Sequence, residues 1–202
     1  MSPPRRSDET AASLRESLVD HARRIIERDG PDALTMRALA TEAGCAVGLP
    51  YKVFADRHEL VGEIIHAEFL RLGERFEEIA GRVGTGTVGG NLVWLAEALL
   101  DSPAVALAPE VMGDEQLAKA FTERIHTTGI GPGGFEAAFG RYLEGEQGAG
   151  RVDPDVDVEA FGFLLAGAVH NLMVSGDAYP RPSRRRLRQL MAAVAAAIAP
   201  HL

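Results

Sequence analysis

Three groupings in this 202-residue chain have the residue types that could do chemistry, and each fails on spacing or context. Asp153, Asp155 and Asp157 stand at alternate positions, as carboxylates do at the opening of a calcium loop. Such a loop needs glycine at its sixth position and glutamate at its twelfth, where this chain has Val158 and Leu164. Acidic residues gathered just before a helix, where they favour its dipole, are the simpler expectation. Gly84, Gly86 and Gly89 spell a dinucleotide fingerprint, whose chemistry needs a strand before it and a parallel sheet around it. A polar helix end, EEIAGR, precedes it instead. The six histidines contain no H-E-x-x-H pair, no serine sits in G-x-S-x-G, and paired carboxylates fall on charged helix faces. The single cysteine, Cys45, cannot form an internal disulfide and is expected as a small buried hydrophobe. No catalytic set, metal site or cofactor is therefore expected.

The informative stretch is Leu34 to Leu60, LTMRALATEAGCAVGLPYKVFADRHEL. Thr35 can cap a helix whose apolar face is Leu39, Ala40 and Ala43, and Gly44 supplies the residue that tolerates φ > 0 where that helix must stop. A second short helix fits Val47 to Val53. Asp56 with Glu59 makes a cap for a third. Helix, glycine turn and helix within about 20 residues is the helix-turn-helix pattern, whose second helix can enter a DNA major groove. A structural helical hairpin has the same outline, and on pattern alone both readings stand.

Residue identities carry further. Gly30, Leu34-Thr35, Leu39-Ala40, Ala43-Gly44, Gly48, Tyr51, Phe54 and Leu60 fall in the register of the DNA-binding domain of TetR-family transcriptional repressors, which this segment resembles. The resemblance is dense over about the first 60 residues and an outline beyond. It implies an all-α protein with a three-helix DNA-binding domain over 1–60 and a helical effector-binding and dimerisation domain over 61–202. Carried over by position, Thr35 and Arg37 contact phosphate, Val47, Gly48 and Leu49 face the bases, Tyr51 and Lys52 meet phosphate, and Arg57 anchors the backbone from the start of the fourth helix. Two departures matter: Ala46 replaces the usual Ser cap, and Pro50 stands where Leu or Ile is usual, tolerable only in a first turn. With Val47 and Leu49 the reading face is apolar, which suits thymine methyl contacts and shape readout.

The remaining elements must position that head. Leu14, Leu18, Ala22, Ile25 and Ile26 form one stripe from Ala11 to Arg28, opposite Arg15, Glu16, Asp20, Arg23 and Glu27. Residues 1 to about 10, with Pro3, Pro4, Arg5, Arg6 and Ser7, read as a solvated tail. Val61, Ile65, Phe69, Leu72, Phe76 and Ile79 extend the Asp56 helix to about Ala80, and GRVGTGTVGG reads as a flexible linker. Helices are expected at about 91–101, 103–111, 114–128, 133–146, 156–176 and 183–199. Under the resemblance a small apolar or aromatic effector has candidate pocket residues Phe69, Leu72, Phe76, Trp94, Met112, Phe121, Phe139, Tyr142 and Phe163. A homodimer of the last two helices would use Gly162, Ala166, Val169, His170 and Met173 on one, and Leu187, Leu190, Met191, Val194 and Ile198 on the other. Such a C2 pair suits a palindromic operator of double-stranded DNA.

Charge fits a specific binder better than a nucleic-acid coat. Of 21 basic and 29 acidic residues, 9 and 10 precede the cut at Gly62, leaving 12 and 19 in the rest. The acidity thus sits in the second part. No apolar run reaches the ~18 residues of a membrane span, and the N-terminus lacks a secretory h-region. A cytoplasmic regulator is the expectation, with an all-helical enzyme or a helical scaffold as the other classes.

Overall fold

Apolar residues at steps of three and four, broken by Gly and Pro, yield helices throughout. The computed structural model, which describes residues 6–175 and 182–201, has ten α-helices and a short 3-10 turn over them, with no strand among the described residues. They are α1 (Arg6–Asp29), the 3-10 turn Pro31–Ala33, α2 (Met36–Glu42), α3 (Gly48–Val53), α4 (Arg57–Ala80), α5 (Val88–Leu100), α6 (Pro103–Gly113), α7 (Glu115–Thr128), α8 (Pro132–Gly148), α9 (Val158–Val174) and α10 (Arg184–Ala197). No single helix among the described residues is long and apolar enough to cross a membrane. Of the expected tail, Pro3, Pro4 and Arg5 lie outside the described residues, as does the break over 177–181. Arg6 and Ser7 already belong to α1, because nothing after Pro4 breaks a helix and Ala11-Ala12 favour one.

The chain gathers into two compact units, one up to Glu68 together with Ala106–Thr122, the other Phe69–Val105 with Glu123–Leu202. In the first, Leu18, Ala22, Ile25 and Ile26 of α1 are buried with Leu34, Leu39, Ala40, Phe54 and Leu60. Each large apolar side chain so buried contributes about 1.5–3 kcal/mol. The α1 surface read from its pattern as solvated is not uniformly so: Arg23 pairs with Glu68, whose side chain is 3% exposed.

The second unit is built around Leu92, Leu95, Ala96 and Leu99 of α5, Phe139, Tyr142 and Leu143 of α8, and Leu165 and Val169 of α9. Helix α9 lies along α8, and α10 lies along α5. The small residues set these approaches. A Cβ on Gly162 would come within 2.9 Å of the Glu136 carbonyl and 3.0 Å of the Gly140 nitrogen, both on α8. Gly89, third glycine of the apparent fingerprint, meets Ala195 and Met191 of α10 at 3.3 Å in the same test. Its smallness serves the contact between α5 and α10.

The expected flexible linker is corrected. Thr87 caps α5 by accepting from Gly90 N at 3.0 Å, so Val88, Gly89 and Gly90 are helical. The residues before it are tied down by buried polar groups. Glu146, fully buried, accepts from the Tyr142 hydroxyl at 2.6 Å and from Gly84 N at 3.3 Å. Asn91 donates to the carbonyls of Arg82 and Thr85 and to the Tyr142 oxygen, and Arg151 donates to the Gly86 carbonyl at 2.9 Å while lying 3.3 Å from Glu146. Burial first, then the hydrogen bond to Glu146, pushes the Tyr142 phenol well above its ordinary value. Asp153, one of the alternate carboxylates, accepts from Asp155 N and His201 N, and Asp157 caps α9 through Ala160 N. Among the described residues no cluster of potential metal ligands occurs.

Tyr142→Phe deprives Glu146 of a donor and Asn91 of an acceptor at a buried site, so it should lower the unfolding free energy of this unit by about 1–3 kcal/mol. Trp94, the sole tryptophan, lies in the same unit, and its fluorescence through a urea titration reads the loss.

Candidate nucleic-acid interface

The turn between α2 and α3 follows from local chemistry. Thr35 Oγ1 accepts from Ala38 N at 3.0 Å and caps α2, an arrangement worth about 1 kcal/mol. At the other end Gly44 takes φ 62°. Cys45 N donates to Ala40 O at 3.0 Å and Gly44 N to Thr41 O at 3.2 Å. That pair of bonds is the Schellman arrangement, which needs a left-handed residue at Gly44. Cys45 is half-buried in this turn. Helix α3 begins one residue later than its pattern suggests, with Val47 as a cap lacking any side-chain bond. Pro50 is the third residue of α3 and is buried. It falls where backbone N–H groups have no intrahelical partner, so its missing donor costs little.

A guanidinium from α1 sets where α3 ends. Arg15 donates to the Val53 carbonyl, the last of α3, at 2.8 Å, and to Glu63 at 3.0 Å and Glu59, both on α4. Its plane lies 4.7 Å over the ring of Phe54, which is fully buried. Glu59 in turn accepts from Ala55 N at 2.7 Å, and Asp56 accepts from Glu59 N at 2.9 Å. The D-x-x-E cap therefore exists, with the glutamate reaching one residue further back than the usual reciprocal pattern. Arg15 was legible only as one charge on a polar helix face.

The head's other cations divide sharply. Arg23 pairs with Glu27 and Glu68, and Arg24 and Arg28 with Glu42. Arg57, expected as a phosphate anchor, donates to the carbonyls of Leu34 at 3.0 Å and Pro31 at 3.3 Å and to Glu110. Between residues 11 and 68, Arg37 and Lys52 are the two lysine or arginine side chains left without an acidic partner among the described residues. Both are exposed, as are Thr35 and Gly48. Val47 is 48% and Tyr51 58% exposed, high for apolar or aromatic side chains, while Leu49 is half-buried. The exposed set thus combines a hydroxyl, two free cations, a phenol and a valine on two short helices joined by a tight turn. Hydroxyl and cationic donors position a protein on phosphates, and groove-facing side chains read base edges and methyl groups.

The residues expected at a pocket and at a dimer face divide into buried and exposed groups. Phe69, Leu72, Phe76, Phe139 and Tyr142 are buried, Trp94 and Phe121 half-buried, and Met112 and Phe163 more than 60% exposed. Trp94 is covered by the guanidiniums of Arg82 at 3.9 Å and Arg75 at 5.3 Å. Gly162, Ala166 and Val169 are buried within their own chain, as are Leu187, Met191 and Ile198. His170, Met173 and Val194 are half-buried and Leu190 is 39% exposed. The opposite side of α9 carries Phe163 at 63%, Leu164 at 61% and Val174 at 61% exposure. An apolar helix has no pattern to say which side meets its own chain, and the glycine approach to α8 decides it here. Beside Phe163 on the chain, an open groove of about 490 Å³ runs between α8 and the start of α9, lined by Gly133, Ala137, Gly140 and Val158 with Glu136, Arg141, Glu144 and Glu159.

A head of this construction is a helix-turn-helix, an arrangement whose second helix can enter a DNA major groove. Residues 18–64 match the family model for bacterial regulatory proteins of the tetR family. Solved structures share the whole fold. One described as a TetR-family transcriptional regulator from Mesorhizobium loti is 21% identical, with 93% of this chain and 95% of that one aligned and a TM-score of 0.60. One described as a transcriptional regulator from Saccharomonospora viridis, in complex with choline, is 16% identical over 94% and 100% of the two chains, with a TM-score of 0.64. A TetR transcription regulator from Haloarcula marismortui is 16% identical over 93% and 99%, with a TM-score of 0.59. No curated protein matches by sequence. The family match is confined to residues 18–64, and over the rest of the chain the likeness to these regulators is one of fold.

Arg15→Met keeps an apolar stem over Phe54 and removes the bonds to Val53, Glu59 and Glu63. The Ala55 N–H, and after it Arg15, hold the Glu59 carboxyl below its ordinary 4.5. A carboxylate so lowered stabilises the fold above 4.5, and that contribution disappears as pH falls through its folded value. The variant should therefore melt lower at pH 7, and its deficit relative to wild type should shrink on acidification towards pH ~3. Circular-dichroism melts between those values check it, and a deficit independent of pH would contradict the assigned role.

Proposed function

We propose that the protein is a homodimeric repressor that binds a palindromic operator through α2 and α3 and is released by a small apolar or aromatic effector. The reading is supported above all by the division of charge in the head: five arginines between residues 11 and 68 are held by acidic or carbonyl partners, and Arg37 and Lys52 are left exposed on α2 and α3. In this reading Thr35, Arg37, Tyr51 and Lys52 contact phosphate and Val47, Gly48 and Leu49 face the bases. Domain limits near 1–60 and 61–202 and a cytoplasmic location belong to the same proposal.

A second copy is placed on the α8–α9 surface. Phe163 and Leu164 project from α9 as exposed apolar side chains, and the neighbouring groove has small residues for floor and charged residues for rim. Paired about a two-fold axis, two such surfaces make a four-helix bundle and hold two heads at half-site spacing. The aligned relative with choline bound supports a small organic effector for this fold. Release requires the effector to bind the DNA-incompetent state more tightly than the competent one. The α4 helix, shared by both units, is the proposed lever.

Selection of genomic fragments by the purified protein should return a palindrome. On that duplex Lys52→Ala should weaken binding about equally for matched and mismatched sites and reduce the salt slope by about 1. Joint replacement of Tyr51 and Lys52 by alanine should abolish specific binding, and its retention would exclude α3 as the reading helix. Phe163→Arg, at an exposed position, should leave the helical spectrum intact and halve the mass measured by light scattering. A dimer that survives it would move the interface elsewhere.

A further inference from the structure

The start of α4 carries a guanidinium and an imidazole that already face carboxylates of their own chain. Arg57 is held on two sides by the carbonyls of Leu34 and Pro31, and its remaining terminal nitrogen meets Glu110 of α6. The next residue, His58, has its Nε2 3.1 Å from Asp114. Asp114 is itself fixed, since its other oxygen caps α7 by accepting from Leu117 N at 2.8 Å. That backbone bond first, and His58 after it, keep its carboxyl below the ordinary aspartate range. Both side chains remain within reach of solvent, 35% and 59% exposed. The acidic partners come from far along the chain, yet Ala106–Thr122 packs in the same compact unit as the DNA-reading helices.

A guanidinium takes carboxylate and phosphate in the same forked geometry, and a helix N-terminus favours either anion. One such position cannot hold both at once. We propose that Glu110 and Asp114 act as an acidic latch, occupying Arg57 and His58 in the free protein in place of operator phosphates. The inference rests on the DNA-binding reading above and adds a regulatory element to it: DNA binding by the start of α4 requires the latch to open. The affinity for DNA then depends on where α6 and the start of α7 sit. It also accounts for Arg57 being bound within its own chain while its position in the family pattern is that of a backbone anchor.

The test uses full-length protein and the duplex recovered by wild-type or latch-variant selection, with anisotropy titrations across a range of salt. Glu110→Gln keeps the length and hydrogen-bonding capacity of the side chain, and Asp114→Asn keeps a good helix cap. Opening the latch should tighten binding about three- to tenfold at fixed salt and steepen the slope of log K against log[salt] by about 0.9 for the Arg57 charge released to phosphate. Adding Arg57→Gln to Glu110→Gln should cancel the gain, which a merely structural pair would not do. Unchanged affinity and slope in a folded E110Q/D114N protein, or weaker binding, overturns the latch. If Lys52→Ala weakens binding in that same experiment, the DNA reading stands and the latch alone falls. If neither wild type nor E110Q/D114N selects any duplex, both fall together.

Discussion

Helix α3 is only six residues long, too short to hold itself in water, and its position depends on one guanidinium. Arg15 reaches from α1 to the last carbonyl of α3, to two glutamates of α4, and across the face of Phe54. A helix C-terminus needs donors for its unpaired carbonyls. Drawing that donor from another helix, and pairing the same group with α4, makes three elements share one fastening. The apolar core of Leu18, Ile25, Leu39 and Phe54 supplies most of the stabilisation, but it is non-directional. Arg15 adds direction, because its bonds are met in one arrangement of α1, α3 and α4.

Charge in the head follows from the same economy. Glu42, Glu59, Glu63 and Glu68 take up Arg15, Arg23, Arg24 and Arg28 of α1, so the exposed Lys and Arg charges left over between residues 11 and 68 lie on α2 and α3. Arg57 shows how far position in a sequence can mislead: a cation in the register of a phosphate anchor has every described donor turned inward.

In the second unit a buried carboxylate plays the organising part that Arg15 plays in the head. Glu146 is satisfied by a phenol, a backbone N–H and a nearby guanidinium, so a glycine-rich segment becomes a fixed connection between α4 and α5. Burying such a group is costly unless every acceptor is met. Once met, it specifies a single course for a segment whose apolar residues are only Val83 and Val88. Close glycine contacts at Gly162 and Gly89 do the corresponding work between helices, holding α9 to α8 and α5 to α10.

Helical periodicity, the Thr35 and Asp56 caps and the left-handed turn at Gly44 were legible in the residues themselves, because each depends on groups within about four positions of one another. The same holds for the rejection of a calcium loop at Asp153 and a nucleotide loop at Gly84, which fail on local spacing. Partners distant in sequence were not legible. Nothing near Arg15 announces Val53 or Glu63, nothing in GRVGTGTVGG announces Glu146, and nothing in α6 announces Arg57. Nor could an evenly apolar α9 say which side would meet α8, since hydrophobicity without a pattern carries no direction. Local chemistry determined the helices and their ends. Only the packed structure decided which charges are consumed inside the chain and which face outward, because pairing and burial depend on distances in space that sequence separation does not encode.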